Sequence, residues 1–199
     1  TMQAEIITIG DELLIGQVVD TNSAWLGRTL GEDGIKVTQI TSIQDDADQI
    51  SRTVNEALAR VSIVLVTGGL GPTRDDITKH TLAELFGMRL VRDEQVYETV
   101  RRQLAVRGIA FNELNRGQAL VPDGCTVLPN RNGTAPGMWF ERGGKILVSM
   151  PGVPFEMKAL VTDEVLPRLR THFSLHANVH RTATTFGLAE SILAETIAD

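Results

Sequence analysis

Residues 61–86 read VSIVLVTGGLGPTRDDITKHTLAELF, a pattern that suits an anionic ligand. The apolar run 63–66 has the composition of a buried parallel strand. It passes directly into Thr67-Gly68-Gly69-Leu70-Gly71-Pro72-Thr73 and then the acidic pair Asp75 and Asp76. A helix with Leu82, Leu85 and Phe86 on one face is predicted next. Strand, glycine loop and helix start together bring backbone N–H groups up to an anion. Glycine allows close approach, and a helix N-terminus carries partial positive charge. Glycines also punctuate ordinary turns, but three of them ahead of two carboxylates weigh toward a ligand.

Carboxylates beside phosphate repel it unless a cation lies between. Mg²⁺ fills that role with one or two protein carboxylates plus substrate phosphates and waters. Such a metal polarises a phosphoryl oxygen and acidifies a bound water. Asp76 is the first candidate for a catalytic, metal-linked acid and Asp45 the second. A helix N-cap would equally justify Asp76. The lysine and spacing of a P-loop are missing, and so is G-x-G-x-x-G, which disfavours ATP-driven phosphoryl transfer by that route and a dinucleotide dehydrogenase. No nucleophilic triad is readable. His172, His176 and His180 fall across a predicted loop and strand, so no zinc site is expected, and His80 reads as a solvated helix residue.

The elements that must position these groups repeat as strand then helix. A first strand over 4–9 ends at Gly10, with Asp11 and Glu12 coming at once. Those acids suit a metal or a ligand hydroxyl, or simply a solvated loop. Thr21, Asn22 and Ser23 form a capping cluster for a helix carrying Leu26 and Leu30. A second strand over 35–43 leads to Asp45 and Asp46, then a helix with Ile50, Val54, Ala57 and Leu58 at helical spacing. The glycine-loop strand is third, and this order predicts a parallel sheet covered by helices. After it come an extended link over 88–91, a strong helix over 93–107, a shorter helical piece over 112–120 and a strand over 125–128. A second glycine- and proline-rich loop, Pro129-Asn130-Arg131-Asn132-Gly133-Thr134-Ala135-Pro136-Gly137, precedes a predicted hairpin. That hairpin ends in a third loop, Pro151-Gly152-Val153, with Pro154 in the first turn of a helix. Pro167 is expected to interrupt the chain beyond that helix. A strand over 177–186 and a helix over 188–198 read as a tail or the start of another domain. In an open α/β sheet, ligands bind beyond the carboxyl ends of the strands, so the loops at Gly10, Gly68, Gly133 and Pro151 are expected to converge there.

The 199 residues suffice for one good core and a small appendage, and 42% apolar with 22% charged residues is ordinary for a globular protein. A net charge of −6 argues against a nucleic-acid surface. No apolar run is long enough to span a membrane, and no basic leader is visible, so a cytoplasmic address is expected. Thr1 ahead of Met2 reads as a processing remnant. The lone Cys125 excludes an internal disulfide and a cysteine metal cluster and reads as a core thiol.

The motifs EIITIGDELL from Glu5, DTNS from Asp20, TGGLGPTRDD from Thr67, NGTAPG from Asn132 and MPGVPFEM from Met150 resemble the N-terminal domain of the competence/damage-inducible protein A (CinA) family. They span about 5–170 in order. The resemblance implies a three-layer α/β/α sandwich of the molybdopterin-binding kind over 1–172, with 173–199 beginning a linker domain. It implies metal-dependent (Mg²⁺, Mn²⁺ or Co²⁺) hydrolysis of ADP-ribose to AMP and ribose 5-phosphate, or, in the related pterin enzymes, adenylylation of molybdopterin by acids matching Asp45 and Asp76. A non-catalytic nucleotide- or pterin-binding module is the third reading. The substrate-binding positions expected are Gly10, Asp11, Glu12, Asn22, Thr67, Gly68, Gly69, Gly71, Thr73, Asn132, Gly133, Thr134, Ala135, Pro136, Pro151, Gly152 and Val153. Leu70 stands where the pterin enzymes usually carry a small polar residue, which ranks that reading second. A homo-oligomer is implied, and the nicotinamide-nucleotide deamidase domain of longer members has no counterpart in this sequence.

Overall fold

The computed structural model describes residues 2–70, 77–175, 186–187 and 189–196, apart from the side chain at 114. Its main sheet has six strands in the order β2-β1-β3-β8-β7-β6. These are β1 (Met2–Ile9), β2 (Ile35–Ile43), β3 (Ile63–Gly68), β6 (Thr126–Leu128), β7 (Gly137–Arg142) and β8 (Lys145–Met150). The pairs β1–β2, β1–β3 and β3–β8 are parallel, while β6–β7 and β7–β8 are antiparallel. The expected mostly parallel α/β architecture is therefore present. The hairpin closes on Gly143 and Gly144, both at positive φ (58° and 75°), as a tight two-residue turn requires.

Successive side chains of β1 and β3 go to opposite faces, and both faces are apolar. Ala4, Ile6, Ile63 and Leu65 join one core cluster with Leu26 and Leu30 of α2 (Thr21–Glu32), Leu160 of α7 (Pro154–Leu160) and Leu169 of α8 (Leu166–Phe173). Ile7, Ile9, Val64 and Val66 join the other, with Ile50, Val54 and Ala57 of α3 (Ala47–Arg60) and Leu82 of α4 (Ile77–Leu85). Helix α2 covers one face and α3 the other, so the chain reverses direction around β1. The junction of β1 and β3 is the switch point where such sheets open a crevice.

A smaller lobe interrupts this sandwich. The antiparallel pair β4 (Leu90–Arg92) and β5 (Leu120–Pro122) brackets α5 (Glu94–Val106) and α6 (Glu113–Gly117). Its own core holds Val96, Val100, Leu104, Ala119 and Val121. Lys79 of α4, only 4% exposed, donates from Nζ to the Gly117 carbonyl at 2.9 Å and ties the lobe to the sandwich.

Two expectations need correction. The helical piece expected over 112–120 ends at Gly117, because residues from Leu120 pair with β4. Pro167 does not interrupt the C-terminal helix. Between α7 and α8 the chain takes a π-helical turn, Val161–Val165, and Pro167 then lies in the opening turn of α8. The wider turn accommodates a residue that cannot donate an amide hydrogen. The strand expected over 177–186 lies outside the described residues except for its last, Phe186. The last helix, α9 (Glu190–Thr196), is shorter than the one expected over 188–198, whose first and last residues are outside them.

Candidate functional site

At the carboxyl ends of β1, β3 and β8 the three chains meet main chain to main chain. Gly68 has φ 99°, and a Cβ there would overlap the Ile9 carbonyl. Gly69 has φ 69° and leaves no room for a Cβ beside the Thr78 hydroxyl. Across the gap, a Cβ on Gly152 would come within 3.2 Å of the Gly68 Cα. Side chains other than hydrogen would separate these strand ends, so glycine here is a condition of the geometry.

One buried amide joins the loops. Asn22, 9% exposed, donates from Nδ2 to the Gly152 carbonyl at 2.8 Å and to the Thr67 hydroxyl at 3.2 Å. Thr67 donates its own proton to the Pro151 carbonyl at 3.0 Å. Among the described residues the Asn22 Oδ1 atom has no hydrogen-bond partner. Asn22 does not cap its helix. Asp20 does, accepting from the Ser23 amide at 2.9 Å, and so releases Asn22 to face inward.

Above this floor opens a cleft of about 470 Å³, within the range of small-molecule sites. It takes in Glu12, Asn22, Thr67, Gly68 and Gly69 from the first half of the chain, and Gly133, Thr134, Ala135, Pro151, Gly152 and Val153 from the second. The loop before β7 reaches it because β7 runs antiparallel to β8, so the start of β7 lies beside the end of β8. Other positions fall elsewhere. Gly10 is buried with its amide on the Ile43 carbonyl at 3.1 Å, and Asp11 faces solvent in the short helix α1 (Asp11–Leu14). Asn132 and Pro136 do not line the cleft. Pro136 borders a second cavity of about 520 Å³ along α5. Asp45 is also off the cleft and accepts from the Thr78 hydroxyl at 3.1 Å, behind Gly69. Gly71, Thr73 and Asp76 lie outside the described residues. Among the described residues no group of three His, Cys, Asp or Glu side chains is placed to hold a metal. Asp45 alone does not make such a site.

Sequence reasoning misses several groups at the cleft. Asn130 organises the loop before β7. Its amide donates to the Ala135 carbonyl at 2.9 Å and to Glu156 at 2.7 Å, while its Oδ1 accepts from the Asn132 amide at 3.0 Å. Gly133 leaves room for that Glu156 carboxylate where a Cβ would collide with it. Arg107, at the C-terminal end of α5, reaches the cleft from the lobe and donates to the Asn132 carbonyl at 3.2 Å. The loop itself is legible in the sequence, but nothing there marks Asn130 as its organiser or links Arg107 to a loop 25 residues away. Apolar Ile9, Leu13, Val18 and Val19 complete the walls. Leu70, 5% exposed, packs into the sheet's second core cluster and also borders the cleft.

Comparison with known proteins agrees with this architecture. Residues 5–171 match the family described as "Probable molybdopterin binding domain". A CinA-like protein of Cytophaga hutchinsonii is 48% identical over 196 residues, 98% of this chain and 47% of that protein. The chain thus spans about half the length of the curated relatives it matches. The crystal structure of the protein CinA from Thermoplasma acidophilum superposes with TM-score 0.76 at 34% identity, covering 86% of this chain and 98% of that one. The molybdopterin biosynthesis enzyme MoaB from Thermus thermophilus gives 0.61 at 20% identity over 87% of this chain and 95% of that one, a likeness of fold alone.

Proposed function

We infer function from one premise: the chain belongs to the CinA-like branch of the molybdopterin-binding-domain family. We propose that its cleft binds a phosphorylated small molecule with a flat heterocycle, of the pterin or nucleotide class. The observation that carries this is the bare main-chain floor. Gly68, Gly69 and Gly152 present backbone without side chains. Outside the regular elements, no main-chain hydrogen bond among the described residues engages the amides of Gly69 or Leu70. Such amides serve an anion. Ile9, Leu13, Val18 and Val19 offer an apolar slot for a ring.

The family match favours the pterin within that class. Glu12 lines the cleft, and a carboxylate there accepts from the N–H edge of a 2-amino-4-oxo pyrimidine as well as from a ribose hydroxyl pair. Titration calorimetry with a phosphorylated pterin, AMP and ADP-ribose tests this. Saturable binding with the pterin tightest supports it; heats no larger than dilution for all three contradict it.

The catalytic reading is metal-dependent hydrolysis of ADP-ribose to AMP and ribose 5-phosphate. Its support is the CinA-like kinship and the placing of Asp45 directly behind the glycine floor. A divalent cation (Mg²⁺, Mn²⁺ or Co²⁺) is part of this reading and would also aid binding without turnover, with Asp45 the acid proposed toward it among the described residues. Incubation with ADP-ribose and Mg²⁺, Mn²⁺ or Co²⁺ decides the matter by release of AMP. Self-association is part of the same family reading, and sedimentation velocity would measure it. Among the described residues no helix is long and apolar enough to cross a membrane.

A further inference from the structure

We propose that Arg107, carried into the cleft by the lobe, is the residue that selects the phosphorylated form of the ligand. This rests on the binding reading above and names the group that confers its charge preference.

Four charged side chains line the cleft among the described residues: Glu12, Asp20, Glu156 and Arg107. Three repel an anion. Asp20 is committed to the start of α2, where it holds the Ser23 amide and hydroxyl, and Glu156 holds Asn130. Their fixed negative charge disfavours a phosphate nearby unless a cation offsets it. Among the described residues Arg107 is the cation in place. A guanidinium carries five N–H donors in a planar fork suited to phosphate oxygens. One N–H of Arg107 goes to the Asn132 carbonyl, which fixes the head of the side chain against the loop bearing Gly133 and Thr134. Its other donors make no hydrogen bond among the described residues and are proposed to serve a ligand.

The base of the side chain is equally settled. Leu104, one helical turn earlier, is 4% exposed in the lobe core, and Gly108 at φ 67° stops the helix immediately after Arg107. The arginine thus projects from the last turn of α5, with the loop carbonyl as its second support. An arginine that only tied α5 to the loop would make the same contact with Asn132. The two roles differ in what they do to ligand charge.

The experiment compares AMP with adenosine, and a phosphorylated pterin with the same pterin lacking its phosphate, on wild-type protein, R107Q and R107K. Thermal melts of the free proteins check folding. Wild type is expected to prefer the phosphorylated member of the better-bound pair. R107Q is expected to cut that preference about thirtyfold, the size of a charge-assisted hydrogen-bond pair, while binding the unphosphorylated member as wild type does. R107K, which keeps the charge and loses the fork, falls between. An R107Q protein that keeps the wild-type preference, or weakens both members equally, overturns the assignment while leaving the binding reading intact. Wild-type protein that binds neither phosphorylated compound overturns both.

Discussion

The cleft has one wall made of strand ends and another lent by the lobe, and the two are built on opposite rules. The strand-end wall is main chain. Gly68 abuts the Ile9 carbonyl and Gly69 the Thr78 hydroxyl too closely for a side chain, Gly152 lies tight against Gly68, and the buried Asn22 ties the loops together. The lobe wall is a side chain. Arg107 is solvent-exposed, rests on a separate small core and meets the cleft through one hydrogen bond to a loop carbonyl. The first wall is inseparable from the fold, since the contacts that shape it are those that hold the sheet together. The second can change without disturbing the sheet. Shape is thus set by the sandwich and charge by the lobe.

The comparison breaks most severely at Gly68. Gly68→Ala sets a methyl against the Ile9 carbonyl in a left-handed conformation, and a loss of about 3 kcal/mol or more is expected. Urea unfolding measures it; a loss below about 1 kcal/mol would show that the strand ends separate freely. Asn22→Ala comes next. It removes two buried donors, leaves the Gly152 carbonyl unpaired and should cost about 1–3 kcal/mol. Ligand affinity should fall with it, since the floor loses its register. Lys79→Met tests the independence of the lobe. Loss of the bond to the Gly117 carbonyl should lower local stability by about 1–2 kcal/mol. Faster amide exchange is expected in α5 and α6 and unchanged exchange in β3. Equal acceleration in both would mean that the walls are one cooperative unit.

Cys125, packed against the sandwich core between β5 and β6, gives the smallest effect and a probe of the joint between lobe and sandwich. Burial pushes its thiol up to about 11, with Asp93 and Asp123 adding to the shift. A raised value keeps the sulfur protonated at pH 8, so alkylation should run about a hundredfold slower than for a free cysteine and quicken only as the pH nears 11. Lys79→Met should speed that alkylation if the lobe loosens, and an unchanged rate would place the loosening away from Cys125.

The sandwich was legible because its signals are local and repeated. The runs at Ile63 and Ile146 are apolar on both faces, and the caps and glycines bounding them lie within a few residues. The glycine floor was legible for the same reason. The lobe's second ladder was not: β5 has three residues and ends in Pro122, too short to show a period. In the capping cluster around Thr21, the residue types alone leave Asn22 a candidate cap. Aspartate and asparagine carry the same capping signal, and only the helix register separates Asp20 from Asn22. Arg107 depends on a contact between two elements that nothing in the sequence relates. Asp45 stands out in the sequence as an acid after a strand, yet in the fold it lies off the cleft and accepts from Thr78, 33 residues on.

The most direct test is a titration of ¹⁵N-labelled protein with a phosphorylated pterin, monitored by amide shifts. The amides of Gly68, Gly69, Gly133 and Gly152 should move together along one saturating curve, with the lobe's α5 shifting only near Arg107. Shifts confined to the second cavity along α5, or none at saturating ligand, would contradict the claim that the glycine floor is the binding site.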